Sequence, residues 1–191
     1  MRYRGFSNDR NAPIWAIIII NLLVFIATLA SSKLIFMLGL QPAAFLDRPW
    51  TIITNMFVHS GLWHIMANML TLYFYGSFLM QLIGVRNFLL IYFCGGILGN
   101  IFFLFLAPPL VTGIGASGAV FALGGALAIL TPKLRVYIFP IPVPMPLWIA
   151  VIGGFLILSL FPGIAWQAHL GGLVLGLIAG YFLRKRTPIL F

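Results

Sequence analysis

The sequence predicts an all-α polytopic membrane protein, a bundle of six transmembrane helices with a re-entrant first outer loop. Three observations carry that expectation. Of the 191 residues, 62% are hydrophobic and 7% charged, and the mean hydropathy is +1.13, a balance outside the range of water-soluble domains. The apolar residues fall into runs close to the roughly 20 residues that an α-helix needs to cross a hydrocarbon layer about 30 Å thick. The 11 Lys and Arg lie in the short breaks between those runs, where basic residues set orientation in a bilayer.

Six segments fit these lengths: 14–30, 63–83, 87–106, 116–131, 147–161 and 167–183, separated by breaks that contain Gly, Pro or charge. Together they are expected to form a single membrane domain over residues 1–191. No small-residue cleavage site follows the first run, so it is expected to be a retained helix. The break at 31–62 is too long for a tight turn and mixes apolar residues with Pro42, Asp47, Arg48 and Pro49. It is expected to be a structured interfacial or re-entrant loop. The alternating prolines 140, 142, 144 and 146 read as an extended connector without a catalytic role. Cys94 is the single cysteine, so no intramolecular disulfide can form.

A net charge of +9 in a soluble chain would suggest nucleic acid. Here it is a topology signal, and no nucleic-acid partner is expected. With the N-terminus inside, Arg2, Arg4, Arg10, Arg86, Lys133, Arg135, Arg184, Lys185 and Arg186 face inward against Lys33 and Arg48 outside, nine to two. Both termini are therefore expected on the cytoplasmic side.

Polar groups within spans are costly and mark function. The chain has three histidines, His59, His64 and His169. On this topology the second, fourth and sixth segments all begin at the outer face, with His64, Ser117 and His169 at or near those beginnings. Helix starts also favour serine as a cap, which is the plain structural alternative for Ser117. If the fourth segment ends near Thr131, Ser117 stands about 21 Å up a layer of about 30 Å. The preceding "APPLVTGIG" must then enter the membrane as non-helical backbone lining a wet cavity or buried in protein.

In the sixth segment Gly172, Gly176 and Gly180 share a face, and in the fourth Gly118, Ala122 and Ala126 do. Small residues four apart let helices approach closely. Packing these stripes would bring Ser117 to His169, the geometry a serine nucleophile needs from its base. The same glycines can equally be a packing device alone. His64 and Asn68 are four apart on one helical face and can donate to an oxyanion, as can the N–H groups at the start of the fourth segment. The only carboxylates, Asp9 and Asp47, lie outside the spans. A hydrolase built from this inventory is most simply a Ser-His dyad. With no HExxH, no glutamate and three histidines on two segments, neither a metal nor a cofactor is expected.

At these residues the sequence resembles the rhomboid family of intramembrane serine proteases. The resemblance rests on G-x-S-G at Gly115, Ser117 and Gly118, on H-x4-H-x3-N at His59, His64 and Asn68, and on A-H-x-G-G from Ala168 to Gly172. It implies Ser117 as nucleophile, His169 as general base and then acid, and an oxyanion site from His64, Asn68 and the Ser117 N–H. Gly115, Gly118 and His59 would support that site. It also implies single-pass membrane proteins as substrates, cut in or near their transmembrane helix, with the fifth segment as a loose wall through which they approach. Two departures stand out. The family's frequent Tyr four residues after the serine is Phe121, which can stack on the histidine without a hydroxyl. Its usual Trp-Arg pair in the first loop is replaced by Arg48, Pro49 and Trp50.

The rival reading is a rhomboid-like pseudoenzyme that binds membrane proteins without cutting them, usually marked by loss of the serine or histidine. A transporter would usually show charges within its spans. The compact core suggests a prokaryotic cell membrane, with the active site opening to the outer face.

Overall fold

The computed structural model describes residues 11–138 and 141–184. Arg2, Arg4, Arg10, Pro140, Lys185 and Arg186, which entered the reading of topology and of the proline run, lie outside the described residues. Helix α1 (Ala12–Ala30) opens with Pro13 in its first turn, where a missing N–H costs no intrahelical bond. It is followed by a short helix α2 (Lys33–Leu38), a 3-10 turn (Pro42–Ala44), helix α3 (Thr51–Thr54) and a second 3-10 turn (Asn55–Phe57). The first loop is thus structured, as its composition predicts.

Its anchoring comes from Arg48 and Trp50, which depart from the pattern of the resemblance, together with Thr54. The last carbonyls of a helix have no partner within it, and in α2 three consecutive ones are taken up by the 48–54 segment. Arg48 donates to the Phe36 carbonyl, Trp50 Nε1 to Met37 at 3.1 Å, and Thr54 Oγ1 to Leu38 at 2.8 Å. The Arg48 guanidinium also lies 4.0 Å from the Phe36 ring centroid, a cation–π contact.

Helix α4 (Leu62–Leu106) consists of two helical arms joined at a kink at Gly84, whose φ of 80° and ψ of 164° are non-helical. That conformation suits a residue without Cβ, and the break expected between 83 and 87 falls there. The chain doubles back, since a Cβ added at Gly76 would lie 3.0 Å from Phe88 of the second arm. Helix α5 (Ser117–Leu130), helix α6 (Leu147–Ser159) and helix α7 (Trp166–Arg184) complete the bundle. Their bounds lie within two residues of those expected. By length and apolarity, α1, α4 and α7 can cross a membrane, whereas α5 and α6 are shorter apolar helices.

The chain is mostly helical, as expected, and the correction concerns the connector between α5 and α6. Residues Arg135–Ile138 (β1) and Ile141–Pro146 (β2) form a two-stranded antiparallel hairpin, so the proline segment is paired strand rather than a free connector. The reason lies in the pairing. The Leu147 N–H donates to the Leu134 carbonyl at 2.8 Å, so by alternation Pro146 faces the unpaired edge, where a missing donor costs no ladder bond. The register then shifts between Val136 and Ile138, so the ladder is irregular across the stretch that holds Pro144.

The centre of the bundle is α7, held between α5 and the second arm of α4. Gly172 and Gly176 of α7 lie against the backbones of Gly118 and Ala122 of α5, so closely that an added Cβ would overlap their carbonyl groups, and Gly180 repeats the contact at Ala126. On the other side, Gly171 meets Leu98 and Gly99 of α4. In lipid, where apolar side chains gain nothing by leaving their solvent, such close van der Waals contact is a main source of helix association. Helix α6 packs mainly on α5, and its Gly153 and Gly154 face open space.

Candidate active site

Ser117 is the first residue of α5; the cap position belongs to Ala116 and carries no side-chain cap bond. The serine is therefore not a helix cap, and its hydroxyl is free for another partner. That partner is His169 in the first turn of α7, with Nε2 2.7 Å from Ser117 Oγ. The two residues are 52 apart in sequence and meet because Gly118, the residue after Ser117, packs against Gly172, three residues after His169.

The chain approaches Ser117 through residues 107–116, which are non-helical as expected. This stretch is pinned by a reciprocal backbone pair between Leu40 and Gly113, at 2.9 and 2.7 Å, and by Ala43 N–H on the Pro109 carbonyl at 2.9 Å. Gly115 has a φ of 115°, where a side chain would be strained. Its N–H donates to the Asn55 carbonyl at 2.9 Å. Asn55 is itself locked by Asn100 of α4: each side-chain amide donates to the other, at 2.9 and 2.7 Å, and Asn100 also donates to the Ile52 carbonyl at 2.7 Å. Asn55 and Asn100 were not among the residues expected at the site. An amide deep within the apolar run 87–106, away from Asn87 at its start, was the signal that could have found Asn100.

His64 stands in the first turn of α4, its Nε2 turned toward Gly115, where a Cβ would come within 2.7 Å. Its Nδ1 lies 3.1 Å from Ser60 Oγ. His59 is buried, with 1% of its surface exposed, and its ring meets that of His64 edge-on at 4.9 Å between centroids. Burial, with the neighbouring His64 charge second, pushes the His59 pKa down to about 4. Asn68 is buried, and its amide donates to the His64 carbonyl one turn back at 2.9 Å. Phe121 covers the His169 ring at 4.6 Å between centroids. The N–H groups of Ser117 and Gly118, in the first turn of α5, have no acceptor within their helix.

Ser117, His169, His64, Asn68 and Phe121 all line one cavity of about 810 Å³. One wall is the first arm of α4, through Ala67, Thr71 and Tyr75, and the opposite wall is α6, through Ala150, Val151 and Gly154. The sequence-predicted residues therefore converge on one space. Gly115 and Gly118 frame it through backbone geometry, and His59 touches it only through His64.

A Rhomboid domain model matches residues 46–186, well over half of the chain. Among similar curated proteins are rhomboid protein 1, mitochondrial, of Saccharomyces cerevisiae (strain ATCC 204508 / S288c), 32% identical over 145 residues, and RHOMBOID-like protein 12, mitochondrial, of Arabidopsis thaliana, 35% identical over 156 residues. Each match covers 71% of this chain, and 42% and 46% of the respective relative. Rhomboid-like protein 16, chloroplastic, of Arabidopsis thaliana is 26% identical over 221 residues, covering 96% of this chain and 66% of its own. The chain thus spans less than half the length of the first two relatives. Apolar helices of spanning length and a rhomboid match through the segment that carries Ser117 and His169 lead to one conclusion: the chain is an integral membrane protein of the rhomboid family.

Proposed function

We propose that this chain is an intramembrane serine endopeptidase that cuts single-pass membrane proteins within or near their transmembrane helix. The observation that carries the reading is the 2.7 Å approach of His169 Nε2 to Ser117 Oγ on the wall of a cavity large enough for a short extended peptide. In this reading Ser117 attacks the scissile carbonyl as His169 takes its proton. The charge that develops on the carbonyl oxygen is met by the Ser117 N–H, His64 and the Asn68 amide. His169 then returns the proton to the leaving amine, and water releases the acyl group by the reverse sequence. No carboxylate is required, because packing rather than an ion pair holds the histidine.

The same reading gives α4 two crossings, one per arm. With α1, α5, α6 and α7 that makes six spans, the first loop partly in the outer leaflet and the active site opening outward. The basic residues Arg86, Lys133, Arg135 and Arg184 then lie on the inner side. Substrate enters between the first arm of α4 and α6, which at 13 residues is about 20 Å long, short of the hydrocarbon thickness. The relatives described above bear mitochondrial and chloroplastic names and lend no support to the expected prokaryotic cell membrane.

The test is incubation of the purified protein, in liposomes, with a labelled single-pass protein whose helix carries small, helix-weakening residues. Cleavage within or beside that helix supports the reading, and an intact substrate under all conditions refutes it.

A further inference from the structure

We propose that Ser60 is a positioning residue that holds His64 in the tautomer carrying its proton on Nε2, and so makes it a hydrogen-bond donor toward the reacting carbonyl. The inference rests on the proteolytic reading of the site. Ser60 precedes α4 by two residues and presents two groups to the same ring nitrogen of His64. Its backbone N lies 3.4 Å from Nδ1 and its Oγ 3.1 Å from it.

A backbone N–H can only donate. For that contact to be attractive, Nδ1 must carry its lone pair, and the Ser60 hydroxyl then turns its own proton to the same atom. A neutral imidazole has one N–H, which therefore sits on Nε2. The opposite tautomer would set an Nδ1–H head to head with the Ser60 N–H. It would also leave Nε2 as an acceptor, which an oxyanion repels. Which nitrogen of a histidine bears the proton is commonly set by the partner of the other nitrogen, and here that partner comes from the residue pair just before the helix.

The rest of the surroundings fix where Nε2 points. It is directed at Gly115, whose missing Cβ leaves the room it occupies, and the His59 ring stands edge-on against the imidazole. Position and protonation are thus set by separate neighbours, Gly115 with His59 for the first and Ser60 for the second. Ser60 itself lines the cavity that holds Ser117 and His169, although no bond joins it to either.

The chain has three histidines, so a histidine-selective nitrogen-15 spectrum of the full protein in detergent micelles contains three rings, assignable through a His59→Gln variant and a His169→Ala variant. The expected wild-type pattern for His64 is an unprotonated Nδ1 and a protonated Nε2. In Ser60→Pro, which lacks the backbone N–H, the Nδ1–H form should appear alongside it, and with a single-pass substrate kcat should fall about three- to tenfold at unchanged KM, the loss of one neutral hydrogen bond used in the transition state. Ser60→Ala, which keeps the backbone N–H and removes only the hydroxyl that could accept from an Nδ1–H, should retain the wild-type tautomer. A wild-type His64 protonated on Nδ1 overturns the proposal, as does a Ser60→Ala protein in which the Nδ1–H form appears, or a folded Ser60→Pro protein with unaltered spectrum and kcat. The spectra need no substrate, so a chain that cuts nothing yet shows the expected tautomer would refute proteolysis while retaining the positioning role of Ser60.

Discussion

Phe121 lies over His169 with ring centroids 4.6 Å apart and planes inclined by 31°. His169 Nδ1 has no hydrogen-bond partner among the described residues, so this stack, together with the Ser117 bond, sets the plane of the imidazole. Phe121 is braced in turn by Phe155 of α6, edge-on at 6.1 Å and 84°. Two rings thus link the helix proposed as the substrate wall to the proposed base. Aromatic contacts of this kind contribute about 0.5–1.5 kcal/mol. Phe121→Ala should therefore lower kcat about three- to tenfold, whereas Phe121→Tyr should keep it near wild type. Steady-state cleavage kinetics check both, and an undiminished kcat in Phe121→Ala would show that the stack does not hold the base.

The approach of α7 to α5 sets the distance between Ser117 and His169. Gly176→Val would drive a branched side chain into the Ala122 backbone, at an overpacking cost of about 1–3 kcal/mol. It should lower the unfolding temperature and abolish cleavage. Gly153→Ala in α6 is the matched control, because nothing lies within 4 Å of its added Cβ; it should be neutral or slightly stabilising. Thermal unfolding in detergent distinguishes the two.

The reciprocal Asn55–Asn100 amide pair ties the first loop to α4 beneath Gly115. Asn100→Ala leaves the buried Asn55 amide unpaired and should cost about 1–3 kcal/mol. Replacing both amides should cost less than the two single losses added together, since neither partner is then orphaned. A double-mutant cycle by denaturant titration measures this, and simple additivity would show that the pair is not coupled.

His59, in the segment between helices, is held neutral by burial with a pKa pushed down to about 4. In the unfolded chain its pKa returns to about 6.5. Between those values the unfolded state binds more protons, so this histidine withdraws stability as pH falls from about 6.5 to about 4 and changes nothing further below that. His59→Gln should show a shallower loss of stability over that window than wild type. Parallel curves for the two proteins would contradict it.

Much of this arrangement was legible in residue spacing, because a membrane restricts the backbone to a few solutions. The small-residue stripes of α5 and α7 are local patterns with a single use, and they predict the Ser117–His169 meeting without knowledge of the loops. What could not be read was long-range polar pairing. Nothing near Asn100 in sequence announces that its partner is Asn55, 45 residues away, nor that Arg48, Trp50 and Thr54 finish the carbonyls of α2. The hairpin at 135–146 was missed for another reason. Prolines argue against strands in general, and only the edge position of Pro146 with the irregular register beyond it makes a strand permissible.

The most direct test of the central claim is labelling of Ser117 by a fluorophosphonate, read by mass spectrometry in the wild-type protein and in His169→Ala. If the 2.7 Å pair is a nucleophile and its base, the wild type is labelled on Ser117 alone and His169→Ala is labelled far more slowly. Equal labelling of Ser117 in both proteins, or none in the wild type, would contradict the account.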